Sequence, residues 1–318
     1  MTRTSVAVGF VLLWSCGFVG AAWGTAAAEP AALLAWRYVI TAGLLLAVTP
    51  LIRARFGRRD LGRQCVLGLT AHVVFLGGLF AAAASGVDAG TTALVCSAQP
   101  LLVAAAGAAF WGDRLTPRQW TGVGLGLGAV AICVGGVSDL GPALALPVIS
   151  LLGLTCSALL ERRWTPRVDV VTALTIQVGV AAIVFVTAAL LTSGMTVEPT
   201  PRLAASLAWL VIPAGLGGYG AYLLALRHLG ATHTSMLLYL TPPVAAIWAW
   251  AMLGDRIGAP QLIAMVLGIV AVLLTVSAGR NDHTEPSRPE QSGRNDRSGT
   301  DRAASPVSGG EAAVGRRR

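Results

Sequence analysis

The sequence contains no lysine, so all 23 of its cationic residues are arginine, and charged residues make up only 12% of the chain. Hydrophobic residues account for 55%, and the mean hydropathy of +0.70 lies outside the range of soluble domains. This composition predicts an integral membrane protein. The arginines are scattered over short loops and a mixed-charge C-terminal segment, which favours contact with a membrane surface and no nucleic-acid partner.

Acidic residues are absent from the interior of every long apolar run, and no metalloprotease, P-loop, nucleophile-elbow or nucleotide-binding motif occurs in the loops. These absences argue against an ATP-driven pump and against an enzyme. The cysteines fall in separate apolar runs without a C-x-x-C pair or a nearby histidine, so we expect buried thiols, no metal site and no cofactor. They are Cys16, Cys65, Cys96, Cys133 and Cys156.

What the chain has instead is a series of long apolar runs. A hydrocarbon core of about 30 Å takes about 20 apolar residues of helix, and runs of that length are separated by turn signals such as Glu29-Pro30 and Thr116-Pro117. We therefore expect an all-α integral membrane protein with ten transmembrane helices. The predicted spans are residues 5–23, 31–52, 64–85, 89–111, 119–137, 143–161, 169–192, 203–226, 231–252 and 260–278.

A stretch of the chain is written twice, 142 residues apart and without a gap. The matched pairs are Gln99-Pro100 with Thr241-Pro242, Gly112-Asp113-Arg114-Leu115 with Gly254-Asp255-Arg256-Ile257, Gln119 with Gln261, and Gly126 with Gly268. The repeat predicts two membrane domains of five helices each, residues 1–140 and 141–279, followed by a disordered cytoplasmic tail at 280–318.

Arginine placement predicts the orientation, because cytoplasmic loops carry the excess of positive charge. With a cytoplasmic N-terminus, twelve loop arginines before the tail fall inside, and only Arg202 and Arg256 fall outside. Both termini are then cytoplasmic, in the cell (inner) membrane. Because a repeat of five spans is odd, the second copy crosses in the opposite sense, which predicts inverted repeats of the kind found in carriers.

The N-terminus also permits a second interpretation. Arg3, an apolar run and Ala26-Ala27-Ala28 are similar to a secretory signal and its cleavage site. Against this, Trp14-Ser15 has a counterpart in Cys156-Ser157 at the repeat spacing, and cleavage would leave nine unmatched helices. We therefore expect the first helix to be retained.

Two ionisable side chains fall inside predicted spans and are candidate substrate-binding residues. Arg37 stands between Trp36 and Tyr38. Its guanidinium suits a carboxylate or a phosphate on a substrate, although the same position allows snorkelling to the outer headgroups. His72 lies near the middle of the third span, where either a proton relay or a hydrogen-bonded structural histidine is consistent with the sequence.

Other candidates are uncharged. Gln99 and Gln177 lie at mid-depth, where an amide can orient a substrate or bridge helices. Aromatic side chains could wall a pocket for an amphipathic solute, although most aromatic residues in spans serve packing. The aromatic candidates are Trp14, Tyr219, Tyr222, Tyr239 and Trp248, of which the first four are predicted to bind substrate.

Prolines are predicted to break helices at matched depths in both copies. Pro100, Pro242 and Pro243 lack an amide hydrogen, so each frees a carbonyl near the bilayer midplane. Such carbonyls either line a cavity or only mark a packing kink. The glycines at 122, 124, 126 and 128 allow close helix approach, for packing or for a possible homodimer interface.

In these motifs the chain resembles the drug/metabolite transporter superfamily, specifically ten-helix carriers with two EamA-type domains. The resemblance runs from Val8 to Val276. It rests on Trp14-Ser15-Cys16-Gly17-Phe18-Val19, on Trp36-Arg37-Tyr38, on Ser97-Ala98-Gln99-Pro100 to Trp111-Gly112-Asp113-Arg114-Leu115-Thr116-Pro117-Arg118-Gln119-Trp120, and on the second copy from Tyr239 to Gln261.

The resemblance implies a carrier with a central cavity between its halves, lined by helices one to four and six to nine, that moves small metabolites by alternating access. The Gly-Asp-Arg turns would be structural corners. Small four-helix multidrug exporters of this superfamily use a glutamate in their first helix, which this chain lacks. We expect a secondary transporter for an amino acid or a related polar or amphipathic organic solute. The alternative is a membrane scaffold that recruits partners through its tail.

Overall fold

The computed structural model is helical, with no strand among the residues that it describes. These are residues 2–48, 57–112, 115–135, 138–164, 168–192, 194–256, 258–259, 262–263 and 265–270. The predicted tail, most of the predicted tenth span and the Asp113-Arg114 corner lie outside them. Within the described ranges, the predicted all-α class is confirmed.

The helices follow one another with short connections. Before residue 140 they are α1 (Arg3–Thr25), α2 (Pro30–Val48), α3 (Arg58–Gly68), α4 (Phe75–Ala84), α5 (Ala89–Ser97), α6 (Gln99–Trp111) and α7 (Pro117–Gly135). A 3₁₀ segment, Ser138–Leu144, leads into the second half. There the helices are α8 (Ala145–Trp164), α9 (Val170–Leu191), α10 (Pro201–Val211), α11 (Gly218–Leu237) and α12 (Thr241–Leu253).

Some consecutive helices are joined in pairs into longer helical stretches. The π-helical segment Leu69–Val74 joins α3 to α4, and a second one, Ile212–Gly217, joins α10 to α11. α5 and α6 meet at a turn on Ala98, and Leu238–Leu240 forms a 3₁₀ turn before α12. The predicted breaking prolines therefore lie in the first turn of a new helix, where a missing N–H disrupts no intrahelical bond.

Polar caps and glycines define the helix ends. The side chains of Thr2, Asp88 and Asp169 accept backbone N–H groups at the starts of α1, α5 and α9. α6 and α12 end at Gly112 and Gly254, whose φ angles of 72° and 75° lie in the left-handed region that glycine adopts without a Cβ penalty. The same corner thus closes both copies of the repeat.

Seven helical stretches among the described residues are long and apolar enough to span a membrane. They are Arg3–Thr25, Pro30–Ala47, Arg58–Ala84, Ala89–Trp111, Gly141–Trp164, Val171–Leu191 and Pro201–Tyr222. They agree with the first four predicted spans and with the sixth, seventh and eighth. α7 occupies the fifth predicted span, and Leu238–Leu253 is a shorter apolar helix within the ninth. The total of ten spans stays a prediction.

One predicted boundary is wrong. The sequence prediction placed a loop between spans ending at 226 and starting at 231, whereas α11 is helical from Gly218 to Leu237. The stretch 227–230 contains no proline and one glycine, so little in it opposes continued helical hydrogen bonding. At the equivalent place in the first half, Gly86 has φ 86° and a turn separates α4 from α5.

The repeat spacing extends to the secondary structure. Shifting α1, α2, α3 and α6 by 142 residues places them on α8, α9, α10 and α12 within two or three residues at each end, and the two π-helical segments also correspond. The halves pack in matched pairs: α1 with α11 and α4 with α8, α3 with α9 and α10 with α2, and α2 with α9. One large buried cluster, which includes Phe18, Leu34, Phe80, Phe185 and Leu210, belongs to both halves.

The glycine-rich face of α7 is divided. Gly122 and Gly126 are buried. A Cβ added at Gly124 or Gly128 would meet no atom within 4 Å, so these two positions border open space.

Candidate functional site

A chamber of 410 Å³ lies between the two halves. It is lined by Trp14, Gln64, Leu67, Ala71, Gln99, Leu154, Ser157, Ala158, Glu161, Val168, Ala173, Leu174, Gln177, Tyr219 and Tyr222. Because α1, α3 and the start of α6 supply one wall and α8, α9 and α11 the other, neither half alone encloses it. Five of the predicted residues come together here, namely Trp14, Gln99, Gln177, Tyr219 and Tyr222.

One wall of the chamber is aromatic. The ring of Trp14 lies 5.5 Å from that of Tyr222 and 6.1 Å from that of Tyr219, and Phe10 packs behind Trp14 at 5.7 Å. Tilted arrangements at these separations are favourable for aromatic pairs. This wall offers apolar ring faces to a solute.

Two smaller cavities of 50 and 30 Å³ adjoin the chamber, and Arg37 lines both. Trp14 and Tyr219 are shared between the chamber and the larger side cavity, and Leu174 and Tyr219 between the chamber and the smaller one. The predicted residue Arg37 therefore lines both side cavities, which share wall residues with the chamber.

Arg37 is 7% exposed and holds its charge among aromatic rings. Its Cζ lies 5.6 Å from the ring centroid of Tyr38 and 5.7 Å from that of Phe80, and its Nη1 has no hydrogen-bond partner. Gly215 in the second π-helical segment lies near the guanidinium, and a Cβ there would lie 2.9 Å from the carbonyl oxygen of Leu210 and 4.0 Å from Arg37 Nη2. An anion placed against this guanidinium would supply the counter-charge and the hydrogen bond that Nη1 lacks.

His72 stands in the first π-helical segment and contacts three polar side chains. Its Nδ1 lies 2.9 Å from the Tyr38 hydroxyl, and its Nε2 lies 3.2 Å from Gln177 Oε1 and 3.3 Å from the Tyr219 hydroxyl. The amide of Gln177 donates in turn to Gln64 Oε1 at 2.7 Å. His72 is 3% exposed, and its contacts bridge α2 of the first half to α9 and α11 of the second.

Sequence reasoning missed three polar residues of the chamber lining. Gln64 is 1% exposed although it was placed at the start of a span, and Ser157 also lines the wall. Glu161 lies one turn before the end of α8 and is exposed at the chamber mouth. Its position at a predicted span end hid it, and the signal that could have found it is the lone acid beside Arg162 and Arg163.

Tyr239 does not join the others. It is buried in a separate cleft of 10 Å³ with residues of α5, α6 and α7. Pro100 and Pro242 flank the helix breaks, and of the residues at those breaks Gln99 reaches the chamber. The carbonyl of Thr241 accepts a hydrogen bond from the Ser15 hydroxyl at 3.3 Å, which ties the second break to α1.

Charged groups outside the spans serve the helix ends. The Thr172 hydroxyl and amide next to Asp169 lower the pKa of this carboxyl, and the amide donates to it at 3.0 Å. Partial burial, followed by the charge of Asp88, raises the pKa of Asp255, which shares a 10 Å³ cleft with Asp88 and Arg256. Within the described ranges, no three His, Cys, Asp or Glu side chains are close enough to hold a metal ion.

Comparison with known proteins yields one family and one fold. The model of the EamA-like transporter family matches residues 4–135 and again residues 143–277. No curated protein matches the chain. A solved structure described only as the crystal structure of a protein superposes with a TM-score of 0.61 and 18% identity, covering 89% of this chain and 99% of its own, which shows a shared fold.

Proposed function

Because the chain belongs to the EamA-like transporter family, we propose that it is a secondary transporter which carries an amino acid or a related polar or amphipathic organic solute through the 410 Å³ chamber. Transport proceeds by alternating access, with the two halves rocking about the bound solute. The observation that carries the proposal is a chamber that both halves enclose, lined by three amides and an aromatic wall, with a buried cation in the two side cavities next to it.

Matching between the halves supports the rocking motion. The helices correspond at the repeat spacing, and several pairings recur with the halves exchanged: α1–α11 with α8–α4, α1–α12 with α8–α6, and α3–α9 with α10–α2. A twofold relation produces such a pattern. If each half has five spans, the axis lies in the bilayer plane, both termini are cytoplasmic, and exchanging the two arrangements opens the chamber to the opposite side.

Packing at the two ends of the chamber supports an inward-facing state. Glu161 and Val168, at the predicted cytoplasmic end of α8 and in the loop after it, line the chamber. At the opposite end, α1 packs closely on α10, since a Cβ at Gly20 would lie 2.8 Å from a methyl carbon of Leu210. The inner side is then the open one.

Flux measurements test this proposal. The full chain in proteoliposomes should exchange a radiolabelled solute from a panel of amino acids and organic acids, and Arg37→Ala and Gln99→Ala should reduce that exchange. Deletion of residues 281–318 should leave it intact, because the described lining of the chamber is drawn from residues between Trp14 and Tyr222. Unchanged flux in both point variants would remove their site assignments, and flux lost with the tail alone would favour the scaffold function.

Solvent access tests the inward-facing state. A cysteine at Ser157, in a background with the native cysteines replaced, should react with a membrane-impermeant maleimide from the cytoplasmic side of oriented vesicles. Reaction from the outer side alone would reverse the proposed orientation or the proposed state.

A further inference from the structure

We infer that the side cavities at Arg37, next to the chamber, bind the carboxylate of an organic anion that carries no ammonium group beside it. Simple carboxylates are then preferred over the matching amino acids. This inference rests on the proposed function and narrows its solute class. Arg37, Tyr219 and His72 decide the preference.

Arg37 Nη1 is a buried donor without a hydrogen-bond partner. Arg37 is almost fully buried, its Nη1 has no partner, and it lines both side cavities. A buried guanidinium without a counter-charge is costly, and an incoming carboxylate supplies the missing charge and hydrogen bond together. The cavity of 50 Å³ beside it offers space for a small group of that kind.

The hydrogen bonds around His72 determine which of its ring nitrogens carries the proton. Gln177 donates through Nε2 to Gln64 Oε1, so its Oε1 faces His72 as an acceptor. His72 Nε2 therefore carries the ring proton, and Nδ1 accepts from the Tyr38 hydroxyl. The Tyr219 oxygen, also facing Nε2, then accepts and keeps its own proton available. Tyr219 becomes a second free donor next to Arg37.

An ammonium group near Arg37 would need a hydrogen-bond acceptor or an acid beside it. His72 Nδ1 and Gln177 Oε1 are already engaged, by Tyr38 and by His72. Among the described residues that line the two side cavities there is no acid. Glu161, the acid of the chamber lining, lies at the mouth and lines neither side cavity. An ammonium group adjacent to the carboxylate would face Arg37 without a compensating charge.

The aromatic wall of the chamber favours a solute with a planar apolar body. Trp14, Tyr219 and Tyr222 present ring faces on the route to Arg37, and the chamber volume of 410 Å³ accommodates a single-ring compound. A planar apolar body with one carboxylate matches both ends of this space. Phenyl compounds are therefore suitable probes.

Binding of three matched probes tests the inference. The full-length protein in lipid nanodiscs is titrated at neutral pH by calorimetry with 3-phenylpropanoate, L-phenylalanine and 2-phenylethylamine. We expect 3-phenylpropanoate to bind at least about tenfold more tightly than L-phenylalanine, equivalent to about 1.4 kcal/mol, and 2-phenylethylamine to bind most weakly. Equal or tighter binding of L-phenylalanine, or no binding of 3-phenylpropanoate, overturns the inference.

Variants assign the preference to the named residues. Arg37→Gln should abolish 3-phenylpropanoate binding, and Tyr219→Phe, which keeps the ring and loses the donor, should weaken it several-fold. Arg202→Ala removes an exposed arginine of α10 and should change nothing. If Arg37→Gln fails to fold, Tyr219→Phe and the wild-type probe order still decide, and wild-type affinity in Tyr219→Phe contradicts the donor assignment.

The binding assay separates this inference from the carrier proposal. Binding of 3-phenylpropanoate that depends on Arg37, in a protein that gives no flux in vesicles, would refute transport and leave the anion site standing. Flux that prefers L-phenylalanine over 3-phenylpropanoate and depends on Arg37 would support the carrier and refute the anion preference.

Discussion

Gly68 is a position near the chamber where one added methyl group should force two helices apart. It ends α3 against α9, and a Cβ built there would lie 2.9 Å from Cα of Gln177 and 3.0 Å from its carbonyl oxygen. A flexible side chain could rotate away from such a contact, but these atoms are backbone. In Gly68→Ala, the two helices must therefore separate.

The expected loss follows from two opposing contributions. Overpacking of this kind costs about 1–3 kcal/mol, whereas replacing a helical glycine with alanine favours the helix by roughly 0.5–1 kcal/mol. Gly62 lies on the same helix with no atom within 4 Å of an added Cβ, so Gly62→Ala shows the second contribution alone. At about 2–4 °C per kcal/mol, Gly68→Ala should unfold at least about 2 °C below Gly62→Ala.

Thermal unfolding by intrinsic fluorescence measures this difference in one detergent and at one scan rate. Separation of α3 from α9 also pulls the Gln177 amide away from Gln64, so binding of the best solute should weaken in Gly68→Ala alone. If Gly68→Ala unfolds at or above the temperature of Gly62→Ala, the close approach of these two backbones is refuted.

Three further substitutions test other contacts. Gly20→Ala brings a Cβ within 2.8 Å of Leu210 and should lower the unfolding temperature. The control is Gly9→Ala on the same helix, where an added Cβ meets no atom within 4 Å. Equal unfolding temperatures of the two variants would contradict the α1–α10 packing. Gly254→Ala should destabilise through its φ of 75° by about 1 kcal/mol and Gly254→Asn by less, as unfolding midpoints would show. The folded-state pKa of Asp169 is lowered, so the stabilisation by its carboxylate is present above the ordinary pKa of about 3.9 and is lost as the pH falls below that value. The difference in unfolding temperature between wild type and Asp169→Ala should therefore disappear in acid. A difference that persists in acid would contradict the charge contribution.

Membership of the chamber could be predicted only for residues with a chemical signal inside an apolar run. Arg37, His72, Gln99 and Gln177 stand out in sequence because polar groups in lipid are costly, and all four line the chamber or its side cavities. Tyr239 carries a similar signal but faces a separate cleft. Aromatic side chains serve packing as readily as binding, so their type alone does not separate the two roles.

The sequence by itself determined the helical class, the seven long apolar helices and the repeat. Class and helix length follow because in lipid the backbone must satisfy its own hydrogen bonds and helix length follows from apolar length. Tertiary structure alone decided that Gln64 meets Gln177 across 113 residues, that Glu161 reaches the chamber mouth, and that Arg37 keeps a free donor. The amide contact joins residues from different halves. The side on which each helix faces its partner is set by packing between the halves, which no local pattern in the chain encodes.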